Sequence, residues 1–278
     1  MSGVAQIELP DLGGNLVVVG QTLWAATDAG AVLVDPATGD VSEAIPDVTN
    51  LAFDGERLWA GGEKLLMEID PKTGRTLRQF SPEHNAFYVA ATPDAVWASD
   101  TFGAVVQRFD PADGHVVGII EVPSKPKGTT LGEGSLWVAC DGAATVVRID
   151  TTSGETVAEI PVGYGPHNIA VGGGWVWVTN RHSRSLSKID PATNQVVATV
   201  AGVAHSPAVG VAVGPASVYV AYSGGLALVD PERAEITARF AIEGADFYDL
   251  KLIDDTLWAS NASGTILYGI GIDALSGG

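Results

Sequence analysis

Five histidines stand in this sequence of 278 residues, and their surroundings are uneven. His167 follows Pro166 at the head of an alternating apolar run. Lys125, Lys127, Asp141, Tyr164, Asn180, Arg181, His182, Arg184 and His205 lie in the neighbouring stretches. Four of the fifteen Lys and Arg residues therefore gather in one region of an otherwise acidic chain. A cationic, histidine-bearing cluster suits the grip of a carboxylate or phosphate, and an imidazole titrating near neutrality suits general-base work, with His167 the candidate. Other chemistries lack their residues. No His-x-x-x-His, CxxC or carboxylate cluster has the spacing of a tight zinc site. The lone Cys140 excludes an internal disulfide and leaves the redox compartment open. GEGSLWV (132–138) lacks the GxSxG pattern of a serine nucleophile.

The elements that must position these residues recur with a fixed period. An aromatic residue on a β-run returns as Trp24, Trp59, Trp97, Trp137, Trp177, Tyr219 and Trp258, at spacings of 35, 38, 40, 40, 42 and 39 residues. Each copy reads as short β-branched runs divided by Gly, Asp or Pro, such as NLVVVG (15–20), TLWAAT (22–27), AVLVDP (31–36) and DVSEAIP (40–46). No window has helical periodicity. This pattern predicts an all-β fold, a seven-bladed β-propeller of four-stranded antiparallel blades in a single domain over 1–278. The expected blades cover about 15–46, 50–82, 86–123, 127–161, 167–201, 209–242 and 248–273. The last copy lacks a fourth strand, and residues 4–10 supply it, closing the ring and protecting its edges. Ser276, Gly277 and Gly278 read as a frayed end.

Two features of the repeat have structural jobs. The anchors are expected to wedge between blades, each burying roughly 150–250 Å². The Asp-Pro segments at Asp35, Asp70, Asp110, Asp190 and Asp230 are turns: Asp opens them, Pro presets φ and Gly accepts a positive φ. His115 belongs to such a turn and reads as solvated.

Fifteen basic against 33 acidic residues give a net charge of −18. That field disfavours nucleic acid and anionic membranes and favours a soluble, non-sticky monomer. No apolar run reaches the length of a spanning helix. The N-terminal stretch lacks a signal peptide's basic and apolar regions, so a cytoplasmic protein is expected as written, or an exported or periplasmic one if a leader has been removed.

The segments IAVGGGWVWVTN (169–180) and VAVGPASVYVAY (211–222), with the Asp-Pro-x-Thr turns, resemble YVTN-type propeller repeats. More narrowly, Pro166-His167 followed by a β-run and Trp177 is similar to a phrase of the streptogramin B (virginiamycin B) lyases. That resemblance implies a seven-bladed propeller in which His167 acts as base in a metal-assisted elimination, making a carbon–oxygen lyase or hydrolase a candidate activity. It also implies a supporting Glu just after the Trp-bearing strand. Asn180 stands there instead, which can bind an oxygen or metal but carries no charge.

Strand direction sorts the candidates. Loops between blades and between second and third strands share one face, the top, which collects His84, His167, His182 and His205. The expected site at the top of the central channel comprises His167 as catalytic residue with Lys127, Asp141, Tyr164, Asn180, Arg181, His182 and His205. Asp100, Tyr88, Tyr248 and Asp249 line its other side. The expected ligand is a small molecule, anionic by the charge of the patch. The residues call for no particular cofactor and no metal ligands are assigned, with a weakly held Mg or Ca at the channel mouth left open. The alternative is a non-catalytic interaction scaffold that displays the same loops.

Overall fold

The computed structural model describes residues 4–275. β1 (Val4–Glu8) precedes a first sheet of β2 (Gly13–Val19), β3 (Thr22–Thr27) and β4 (Gly30–Val34). The second sheet holds β5 (Asn50–Phe53), β6 (Leu58–Gly62), β7 (Leu65–Ile69) and β8 (Thr76–Phe80). The third holds β9 (Tyr88–Thr92), β10 (Ala95–Asp100), β11 (Val105–Phe109) and β12 (Val116–Glu121). In the fourth are β13 (Pro126–Gly132), β14 (Ser135–Cys140), β15 (Thr145–Asp150) and β16 (Thr156–Pro161). The fifth is built from β17 (Pro166–Gly172), β18 (Trp175–Asn180), β19 (Ser185–Asp190) and β20 (Gln195–Val200). A final sheet contains β21 (Ala208–Val213), β22 (Val218–Asp230), β23 (Glu235–Ile253), β24 (Thr256–Asn261) and β25 (Ile266–Gly271), with β1 added at its edge. All pairings are antiparallel, and the molecule is an all-β propeller without α-helix among the described residues.

The expectation of seven separate four-stranded blades is corrected by the sheet count, which is six. The sixth and seventh sequence repeats are fused into one six-stranded sheet by the two long strands β22 and β23. β22 runs unbroken through Ser223-Gly224-Gly225. Gly224 takes φ +96° and Gly225 passes so close to the Phe240 carbonyl that a Cβ would lie 1.9 Å from its oxygen, so the chain shifts register and continues. Residues 243–247, expected as a loop between blades, stay extended, and Ser223 pairs with Asp246. In the first repeat the expected strand 40–46 contributes only two isolated bridges, Ala31 to Ile45 and Val34 to Val41. There the Leu33 N–H donates to the Ser42 hydroxyl instead of to a backbone carbonyl (3.0 Å).

The N-terminal strand closes the circle as its sequence suggested: Val4 through Glu8 pair with Ile270 back to Ile266. Ile7 and Leu9 are buried with Trp258, and the expected frayed residues 276–278 lie outside the described ones.

The anchors pack as wedges, each against the following repeat. Trp24 meets Leu51 and Leu58, Trp97 meets Leu136 and Val138, Trp137 meets Ile169 and Val176, and Trp177 meets Val211 and Val218. Trp258 completes the circuit against Leu16 and Leu23. A second clasp lies lower down. Arg148, over the Trp137 ring at 4.9 Å, donates to the Pro191 carbonyl of the next repeat's turn and to Asn194 Oδ1 (2.8 Å). Lys188 sits 5.5 Å from the Trp177 ring centre and donates to the Pro231 carbonyl (2.6 Å). Trp24 faces Leu33 and has no such cation, so its own indole N–H reaches the Pro71 carbonyl (3.1 Å). The turn aspartates accept backbone N–H groups two and three residues on, as at Asp70 and Asp230, and Asp150 does the same without a following proline.

Candidate functional site

Local irregularities in the inner strands set the mouth of the axial channel. In β17, Pro166 pairs with Asn180 but Ile169 with Val178, so one extra residue is inserted at His167-Asn168. The same shift occurs at Lys127-Gly128 in β13 and at Tyr248-Asp249 in β23. A β-bulge of this kind bends the strand and re-aims its side chains. Lys127, His167 and Tyr248 occupy equivalent bulge positions, and Tyr88 enters from the start of β9.

The top loops are fixed by backbone bonds. Arg181 N–H donates to the Gly165 carbonyl (2.7 Å), His182 N–H to Tyr164 (3.1 Å) and Asp141 N–H to Lys125 (3.0 Å). Gly165 is required here: its φ is +72°, and a Cβ would stand 2.4 Å from the His182 ring.

These elements bring together His167, Lys127, Asp141, Arg181, Tyr88, Tyr248 and Asp249. The His167 ring is 5% exposed and meets the Tyr248 ring edge-on, centroids 5.6 Å apart. Its Nδ1 is buried without a hydrogen-bond partner. Burial first, then the charges of Lys127 and Arg181, push its pKa down to about 3. The near-neutral imidazole expected from sequence is therefore corrected: this histidine is firmly neutral, because desolvation disfavours the imidazolium. Lys127 Nζ stands 3.6 Å from Asp141 Oδ2, too far for a hydrogen bond, and that oxygen is otherwise unpartnered. Arg181 Nε is also buried and unpaired. Burial raises the pKa of both Tyr88 and Tyr248, whose phenols interact with each other and feel the Arg181 charge, so both stay neutral at pH 7.

Asp249 has a different occupation. Its carboxylate accepts the Leu16 N–H (2.9 Å), the Asn168 amide (3.1 Å) and the Lys251 ammonium (2.9 Å). It thereby ties the last inner strand to the first. Asn15 and Asn50 do similar work for the Leu51 and Val89 N–H groups. Below the tyrosines these residues, with His167 and Asn168, line a channel cavity of about 310 Å³. Beside it at the top lies a wider hollow of about 890 Å³ bordered by Asn15, Asn50, Asp28, Asp47, Glu63 and Tyr248. A third, of about 320 Å³, is bordered by Phe87, Tyr88, Phe102 and Tyr248.

Other sequence candidates fall outside this cluster. Asn180 is buried, but its amide donates to the hydroxyls of Ser185 (3.0 Å) and Ser187 (2.9 Å) and packs behind Gly163. Tyr164 and His182 are exposed and touch each other at 5.2 Å on the rim, and exposed His205 leans on Tyr222. Asp100 is buried in its own loop. Burial would raise its pKa, but the N–H groups of Gly103, Phe102 and Asn85 outweigh that and hold it low. His84 lies 3.7 Å from it. Among the described residues, the group of His and carboxylates close enough to share a cation is Asp110, Asp113 and His115, in an exposed turn on the opposite face. Asn15, Asn50, Asn168 and Lys251 were not singled out from sequence. Their signal was available: the first three occupy the same column of the repeat as Asp249, directly before the inner apolar run.

No protein-family model matches the sequence, and no curated protein matches it. Solved structures do. The virginiamycin B lyase from Staphylococcus aureus, in selenomethionine-substituted form, aligns with a TM-score of 0.83 at 14% identity, over 96% of this chain and 98% of that one. The WD40 β-propeller domain of Doa1 aligns at 0.78 with 10% identity, over 97% of each chain. A computationally designed protein, Ika8, aligns at 0.74 with 13% identity, over 93% of this chain and 83% of that one. At such identities the likeness establishes a β-propeller and leaves function to the site.

Proposed function

We propose that this chain binds a small carboxylate-bearing molecule at the mouth of its axial channel, between Lys127, Arg181 and His167. The observation that carries the reading is two buried nitrogens without hydrogen-bond partners there, His167 Nδ1 and Arg181 Nε. A buried, unpaired donor or acceptor costs about 1–3 kcal/mol, so two nitrogens in one place suit an anionic occupant that accepts from them. Lys127 and Arg181 supply two cations against Asp141, in a protein of net charge −18, and the buried setting strengthens their pull on an anion.

Binding is better supported than turnover. A base held at about 3 abstracts protons poorly, and Asn180, at the position that the lyase resemblance gives to a Glu, turns its amide to Ser185 and Ser187. An anion bound beside His167 would favour its protonated form and restore part of that basicity. Elimination or hydrolysis is therefore a property to seek in the liganded protein.

The test is a thermal-shift titration with acetate, propionate, benzoate, malate and phosphate, on the wild type beside His167→Leu. A ligand at 100 times its Kd adds about 2.7 kcal/mol, or several degrees at this size. A shift in the wild type that His167→Leu abolishes supports the reading, and no shift with any carboxylate contradicts it. The scaffold alternative rests on a separate observation: Phe102 and Tyr164 are strongly exposed on the same face, at 83% and 63%. It predicts no response to small anions and capture of a protein partner that a Phe102→Ser, Tyr164→Ser double variant loses.

A further inference from the structure

The anion cluster is not the only feature at the mouth. Next to it is the hollow of about 320 Å³ bordered by Thr49, Phe87, Tyr88, Thr101, Phe102 and Tyr248. Four of these six are aromatic, and none is charged. Phe87 and Phe102 meet edge-on with centroids 5.8 Å apart, which presents ring faces and edges to whatever lies between. Phe102 is 83% exposed on the turn after β10, a costly place for a phenyl ring that packs on little else.

The two features share walls. Tyr248 touches the His167 ring and borders both the channel cavity and the aromatic hollow, and Tyr88 also borders both. Arg181 acts electrostatically on both phenols and on His167.

We infer that the ligand is an amphiphilic monoanion of the aryl-carboxylate class, its carboxylate between Lys127, Arg181 and His167 and its aryl group in the hollow of Phe87, Tyr88, Phe102 and Tyr248. This rests on the anion site proposed above and adds the second half of the molecule. A cationic group, such as a quaternary ammonium, also favours aromatic walls. Here it would meet the Arg181 charge, whereas an aryl ring would not. A small inorganic anion would satisfy the polar half and leave the aromatic half empty. Phe102 becomes the residue that sets specificity, through contact with the ligand's tail.

The experiment is calorimetric titration of the whole chain with 3-phenylpropionate, propionate and phenyltrimethylammonium. The variants are Phe102→Ser, whose exposed site leaves folding intact, and Arg181→Met. The expected result is that 3-phenylpropionate binds at least about tenfold tighter than propionate. Phe102→Ser should remove that advantage without changing propionate affinity, and Arg181→Met should weaken both. Equal affinities for the two acids, or an unchanged advantage in Phe102→Ser, overturn the aryl assignment and leave the anion site standing. Binding of phenyltrimethylammonium in preference to both acids also overturns it. If neither acid binds, the anion site fails and the aryl assignment fails with it. Circular dichroism and melting of each variant confirm that the comparison is between folded proteins.

Discussion

Arg148 and Arg181 belong to neighbouring repeats, yet the protein treats them differently. Arg148 lies over the Trp137 ring and uses its guanidinium on Ser135, Pro191 and Asn194, joining one repeat to the turn of the next. Arg181 sits at the channel mouth with Nε buried and unpaired, near two phenols and an imidazole that also lacks a partner. The histidines divide likewise: His115 is exposed and paired with Asp113, and His167 is buried with a free Nδ1. In the lower half Arg148 and Lys188 hold the ring together, although Arg108 Nε and the Trp97 and Trp177 indole N–H groups are buried without partners too. At the channel mouth the unpartnered His167 Nδ1 and Arg181 Nε belong to side chains that act on each other electrostatically, and in our reading a ligand completes them.

The contrast can be broken most severely at an anchor. Trp137→Ala removes a fully buried ring from between the fourth and fifth repeats, and should cost about 3–5 kcal/mol in a denaturant titration. Acid sharpens the contrast. The folded-state pKa of His167 lies near 3, below its ordinary 6.5, so the unfolded chain takes up a proton first as pH falls. His167 therefore contributes no penalty above about pH 6.5, and stability drops as pH falls from there toward 3. Between pH 7 and 5 the loss from this residue should reach about 2 kcal/mol, and His167→Leu should remove it. The lowered pKa values of Asp54 and Asp100 act below 3.8 and leave that window clear. A smaller effect is expected from Arg148→Ala, about 1–3 kcal/mol of stability with ligand binding unchanged.

The sequence made the scaffold legible because its signals are local and repeated. An aromatic every forty or so residues, flanked by alternating runs and Asp-led turns, specifies strands and wedges without long-range information. The fusion of the last two repeats was hidden. It depends on backbone continuity at Ser223–Gly225 and 243–247, where glycines allow extended strand as well as turn. His167, Lys127, Asp141, Arg181, Tyr88 and Asp249, all candidates by sequence, lie close enough in the fold to act on one another electrostatically. What sequence could not give is depth. One-residue bulges carry His167 and Tyr248 into the mouth, while Asn180, a few residues from His167 across the sheet, turns to the serines of the neighbouring strand β19. Side chains on one face of a loop set can be buried, capped or exposed, and only packing decides, as Asp100, His182 and His205 illustrate.

The most direct test of a ligand-completed channel mouth is Arg181→Met, measured for both unfolding free energy and affinity for 3-phenylpropionate. Replacing an unpaired buried donor with an apolar side chain of similar length should leave stability unchanged or raise it, while binding falls at least about tenfold. A variant that loses about 2 kcal/mol or more and still binds as the wild type does would show that Arg181 is scaffold like Arg148 and holds no ligand.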